Sequence, residues 1–109
     1  MTTTFKVLGQ SAPSAATLTA AYTVPGATQA VCSSIVVANR DAGPATFRIS
    51  VAVAGAADNV KQYIAYDAPI AGNDTIALTI GVTLGAADVV RVYASTALLS
   101  FNLYGEEVT

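Results

Sequence analysis

Thr46-Phe47-Arg48-Ile49-Ser50-Val51-Ala52-Val53 sets large apolar side chains against polar or small ones at a period of two. Successive side chains of a strand point to opposite faces, so Phe47, Ile49, Val51 and Val53 are expected to share a buried face. The pattern extends outward in both directions. Leu18, Ala20, Tyr22 and Val24 alternate with Thr17, Thr19, Ala21 and Thr23; Ile76, Leu78 and Ile80 with Thr75, Ala77 and Thr79; Leu99, Phe101 and Leu103 with Ser100, Asn102 and Tyr104. Val, Ile and Thr outnumber Leu and Met, a balance that suits a pleated, half-buried surface. Ala12 to Ala21 is the one stretch where a helix competes, and its Thr and Ser content together with the alternation favours strand.

Turn chemistry punctuates these runs at Gly9 to Pro13, Pro25-Gly26, Asn39 to Pro44, Gly55 to Asn59, Pro69 to Asp74, Gly85 to Asp88 and Ala94 to Ala97. Seven breaks predict about eight short strands. The connections are too short for crossover helices, so the strands are antiparallel. The expectation is an all-β fold, an antiparallel β-sandwich of jelly-roll-like form, in a single domain over residues 1–109 with an extended N-terminal arm. Two internal echoes, Tyr22-Thr23-Val24-Pro25 with Tyr66-Asp67-Ala68-Pro69 and Gly55-Ala56-Ala57-Asp58 with Gly85-Ala86-Ala87-Asp88, keep different offsets and so do not make a repeat. Similar chemistry at strand ends explains them: proline stops a ladder, and Gly-Ala-Ala-Asp forms a hairpin-type connection.

The chain carries five Lys or Arg and seven Asp or Glu, a net charge of −2 and a mean hydropathy of +0.55. A soluble domain has about a quarter of its residues charged; here the share is 11%. A folded monomer of this mass exposes about 5,600 Å², a sparse coat of one charge per roughly 470 Å² by the same scaling. Packing against other protein is the expected compensation, and self-association also helps a small core. The basic residues Lys6, Arg40, Arg48, Lys61 and Arg91 stand singly, which argues against nucleic acid as a direct partner. Pro13, Pro25, Gly9 and Gly26 interrupt the uncharged stretch between Lys6 and Arg40, so no membrane span is expected there. The opening Met1 to Lys6 lacks the basic and apolar regions of a secretory signal.

Histidine is absent, which removes the commonest general base and transition-metal ligand, and with it Ser/His/Asp and Cys/His catalysis. The carboxylates Asp41, Asp58, Asp67, Asp74, Asp88, Glu106 and Glu107 lie mostly in expected turns, where Asp bonds its own backbone. Asp67, Asn73 and Asp74 could place oxygens in one loop, but their spacing matches no calcium motif. No catalytic, cofactor or metal site is expected. Cys32, the only cysteine, sits in an apolar run and reads as a small buried hydrophobe. Tyr63 and Tyr66, three apart, are expected on opposite faces of a strand, leaving one of them free for a contact with another copy or for a sugar platform.

The opening Thr3 to Pro13, then Tyr22 to Pro25, then Val31 to Arg40 followed by Ala45 to Val51, resemble small virion proteins of tailed bacteriophages; Tyr63 to Asp67 and Val89 to Ala94 look like the same group. The resemblance spans nearly the whole chain and carries no catalytic residues. It implies a structural protein made in the host cytoplasm and located in the virion. The leading expectation is a capsid decoration or cement protein, a homotrimer binding neighbouring capsid subunits. A tail, baseplate or fibre-attachment component is the alternative, and a carbohydrate-binding β-sandwich module a further one. Low charge and few flexible side chains also make such surfaces cheap to order. The expected contact residues are Thr2, Thr3, Thr4 and Phe5 at the N-terminal end, which could add a strand to a neighbour, with Tyr63, Tyr66 and Tyr104.

Overall fold

The computed structural model describes residues 1–109 and contains nine strands: β1 (Thr3–Ser11), β2 (Thr19–Thr23), β3 (Gln29–Asn39), β4 (Ala45–Ala52), β5 (Tyr63–Ile70), β6 (Thr75–Leu78), β7 (Val82–Leu84), β8 (Val89–Ala94) and β9 (Leu99–Val108). One sheet runs β1-β9-β3, with β6 and β7 both on the far edge of β3; the other runs β2-β8-β4-β5. β6 and β7 occupy one strand position, broken at Thr79–Gly81, where Gly81 takes a positive φ of 59°. With that pair counted once, β1 pairs β9, β2 pairs β8, β3 pairs β6/β7 and β4 pairs β5, all antiparallel. This nesting is that of one long hairpin rolled up, closed by β9 against β3 and β8 against β4. The fold is a jelly roll.

The core lies between the sheets and is filled by the expected alternating residues. Phe47 and Ile49 from β4 meet Leu99, Phe101 and Leu103 from β9, all buried, and the Phe47 and Phe101 rings pack edge to face at 6.2 Å. Ile35 and Val37 of β3 and Val90 and Val92 of β8 complete the layer. Cys32 is buried among them, and burial raises its thiol pKa. Gly9 lies inside β1, where a Cβ would collide with the Ala21 carbonyl of the facing sheet. The total accessible surface is 5442 Å², close to the scaling value for a lone chain of this mass.

Several local expectations are corrected, and bulges account for most of them. In β2 the register slips between Ala20 and Tyr22, so Ala21 packs toward the core with Tyr22 while Ala20 is exposed. Ala12 to Leu18 forms no regular structure; the strand begins at Thr19. β4 stops at Ala52, and Val53 enters a 3-10 turn over Val53–Gly55 with its side chain exposed. Ile80 lies past the end of β6 and is likewise exposed. Pro69 does not stop a ladder: it sits inside β5 opposite Thr46, tolerated because β5 is a sheet edge. Asp67 lies within β5, so it does not share a loop with Asn73 and Asp74. The two Gly-Ala-Ala-Asp segments also diverge. Gly55 to Asp58 lies in the β4–β5 hairpin connection, whereas Gly85 to Asp88 is a tight turn that carries the chain from one sheet to the other, closed by Asp88 N–H to the Gly85 carbonyl.

Candidate interaction surfaces

The strand register divides the contact residues expected from sequence between two opposite faces. Phe5, Val7, Glu106 and Tyr104 share the outer face of the first sheet, because Phe5 stands opposite Glu106 and Val7 opposite Tyr104. Val31, Ser34, Val36 and Ala38 of β3 continue that face, as do Asn102 and Ser100 of β9. Within it the only ionised side chain is Glu106. Arg40, at the rim, donates to Ser100 Oγ at 2.9 Å and to the Ala97 carbonyl at 3.1 Å. Most of the charges lie elsewhere: Asp41, Asp58, Lys61, Asp74 and Asp88 in connections, Arg48, Asp67 and Arg91 on the second sheet. On this face the exposed large apolar groups, Phe5 81%, Val7 46% and Tyr104 39% exposed, gather at one end, while Val53, Val60, Ile64 and Tyr66 are exposed elsewhere on the molecule.

Thr2 to Phe5 are extended but not free. Thr2 and Thr109 exchange both backbone hydrogen bonds, at 2.8 and 2.9 Å, and the ladder continues from Thr3 opposite Val108 to Val7 opposite Tyr104. Thr3 to Val7 are exposed on both faces, because the second sheet does not reach under them. On the inner side of this overhang Glu107 accepts from the Tyr22 hydroxyl at 2.6 Å and pairs with Lys6 at 3.3 Å. Those two contacts, the tyrosine hydrogen bond first, hold the Glu107 carboxyl below its ordinary range; burial and the same carboxylate push the Tyr22 hydroxyl up.

Tyr63 and Tyr66 lie on the second sheet, and not on opposite faces. Their rings meet edge on at 5.1 Å with an interplanar angle of 86°. Two bulges in β5 explain it: Ser50 pairs Tyr63 and Ile49 pairs Ala65, leaving Ile64 extra, while Phe47 pairs Ala68, so Tyr66 and Asp67 together oppose Arg48. The extra residues return Tyr66 to the outer face that Tyr63 occupies. Arg48 then lies between the rings of Tyr66 and Tyr93, at 4.1 and 4.4 Å from their centroids, and donates to both Asp67 oxygens at 2.7 and 3.3 Å. Asn59 and Gln62 form a capping box around the 3-10 turn Val60–Gln62 that launches β5, and the Tyr63 hydroxyl donates to Asp58 at 2.9 Å. Tyr66 remains 59% exposed.

Val7, Val31 and Val36 join Phe5 and Tyr104 although sequence reasoning did not single them out. Val7 was within reach, since it follows Phe5 by two in one strand; Val31 needed the non-local register of β3 on β9. Arg48 and Tyr93 were missed because their meeting with Tyr66 depends on an unforeseen bulge. No helix is long and apolar enough to cross a membrane. No protein-family model, curated protein or solved structure matches the chain.

Proposed function

We propose that this protein is a structural component of a bacteriophage particle, a jelly-roll decoration or cement subunit that seats the outer face of its β1-β9-β3-β6 sheet on neighbouring capsid protein. The observation that carries the reading is the near absence of charge on that face. Burying Val costs nothing, burying Ser, Thr and Asn costs far less than burying charge once a partner remakes their hydrogen bonds, and nothing on the face except Glu106 demands a specific ionic partner. The sequence resemblance to small virion proteins supports the same reading. So does the architecture, since viral capsid domains are among the uses of the jelly roll, although fold alone does not fix function.

Mass spectrometry of purified virions tests the first half of the proposal, with the chain expected in stoichiometric amount. Val36→Lys places a charge at the centre of the face without touching the core, and is expected to lower occupancy on the particle while leaving the isolated domain folded. Loss of turnover of some substrate has no place in this reading. A tail, baseplate or fibre-attachment position is the alternative within the virion, and imaging of the particle separates it from the head.

A second reading, carbohydrate binding, is favoured by the gathering of Tyr63, Tyr66 and Tyr93 around Arg48 on one outer face. Glycan-array binding abolished by Tyr66→Ala would support it. Arg48 already covers one ring face of Tyr66, which leaves less flat surface for a sugar to stack on and ranks this reading second.

A further inference from the structure

The four sheet edges are not equally protected. Natural sheets discourage edge-to-edge pairing with short strands, bulges, proline and charge. β5 carries Pro69, two bulges and Asp67 at a positive φ of 50°. β2 is five residues long and bulged, and β6 and β7 are four and three residues with a break between them. β1 from Thr3 to Val7 lacks all of these devices but one, a single charge. It is regular along its whole pairing with β9, has no partner on its other edge, and its first bulge comes at Leu8. Its one charge, Lys6, points to the inner side and is engaged by Glu107.

The geometry points to a second copy of this chain as the occupant: we propose that β1 pairs with β1 of another subunit, antiparallel about a two-fold axis at Phe5. Thr2 and Thr109 form a hydrogen-bonded pair, so by alternation Thr4 and Lys6 also bond to β9. Thr3, Phe5 and Val7 therefore turn their N–H and C=O groups to the open edge. In a two-fold register Phe5 pairs with Phe5 and Thr3 with Val7 in both directions, which satisfies about six backbone groups on each edge in three two-bond pairs. An isologous contact requires such self-complementarity, and this stretch has it.

The charges agree with this register. Lys6 of one copy stands beside Thr4 of the other, with Glu107 of that copy on the next strand. Lys6 and Glu107 of the two subunits then alternate in sign around the axis, with no like pair directly opposed. The Phe5 rings meet on the outer face, covering the most exposed large side chain after Met1 and Val60. Thr3–Val7 are exposed on both faces, which leaves this edge accessible to a partner strand. The result is an eight-stranded sheet, β6-β3-β9-β1 continued by its own copy, with the charge-poor outer faces joined. Five residues a side fall well below the ~20–30 of a standard interface, so the pairing is a reversible one. It does not depend on the virion reading, and the two-fold it predicts differs from the three-fold expected from sequence.

Sedimentation velocity on the isolated full chain across the micromolar range tests it. The expected result is a species of twice the 11.0 kDa chain mass that grows with concentration. Phe5→Pro removes an N–H that β9 does not use, so it should abolish the dimer with little change in the melting temperature. Phe5→Lys, which keeps every backbone group and opposes two cations at the axis, should abolish it too. Phe5→Cys should form an intermolecular disulfide on mild oxidation, since directly paired residues bring Cα atoms about 5.5 Å apart, whereas Lys6→Cys should not. A chain that stays monomeric throughout, a dimer or trimer unaffected by both Phe5→Pro and Phe5→Lys, or an edge that takes up only an extended peptide from another protein would overturn the proposal.

Discussion

Tyr22 and Glu107 show how one hydrogen bond ties the core to the overhang. The Tyr22 ring packs in the core while its hydroxyl reaches a carboxylate of β9 that also holds Lys6. Tyr22→Phe removes the donor but not the packing, and is expected to lower stability by about 1.5–3 kcal/mol, the range for a hydrogen bond to a charged group, read as a shift in the urea midpoint. The Glu107 pKa is depressed in the folded state, so the unfolded chain binds its proton first as the pH falls. Its contribution is therefore present above the ordinary glutamate range and is lost as the pH drops through and below it. Glu107→Gln should flatten stability against pH in that window. Cys32 is expected to react with a thiol reagent only on unfolding, because burial removes access and raises the pKa of the thiol.

At the level of the strand, alternation in sequence located the residues that fill the core in β4 and β9, because a side chain that alternates in a regular strand has only two places to go. Phe101→Ala is accordingly expected to cost about 3–5 kcal/mol, a large fraction of the ~5–15 kcal/mol that holds a domain together. Alternation failed wherever an extra residue entered a ladder. Ala21, Ile64, Ser33 and Leu8 are ordinary residues at bulges, and nothing in their chemistry announces the slip; the pairing strand imposes it. The Tyr63–Tyr66 pair was misplaced for this reason, and Arg48 with Tyr93 went unnoticed beside it. Gly105 marks one slip from the other side. Opposite the Ser33 bulge a Cβ on Gly105 would run into the Val31 carbonyl, a backbone atom that cannot swing aside. Gly105→Ala should destabilise by about 1–3 kcal/mol, checked by calorimetric melting, whereas Gly26→Ala, with open space around it, should not.

Over the whole molecule, the all-β class was readable because turn residues punctuate the chain at short intervals; the strand number came out at nine against an expected eight or so, because the break at Thr79–Gly81 carries no strong turn signal. The order of the strands was not, since β1 with β9 and β2 with β8 are pairings between the two ends of the chain and leave no local trace. That order separates a face with a single carboxylate from one carrying Arg48, Asp67 and Arg91, a division that composition alone could not reveal. The body measures 45 × 27 × 20 Å, a slab broad enough to lie flat on a protein shell. The most direct measurement is imaging of the intact particle at side-chain resolution. It should show the β1-β9-β3-β6 face, with Val36 and Tyr104, buried against capsid protein and the Arg48 face toward solvent. A chain missing from purified particles, or one attached through Tyr63 and Tyr66 with the charge-poor face left in water, would contradict the proposed role.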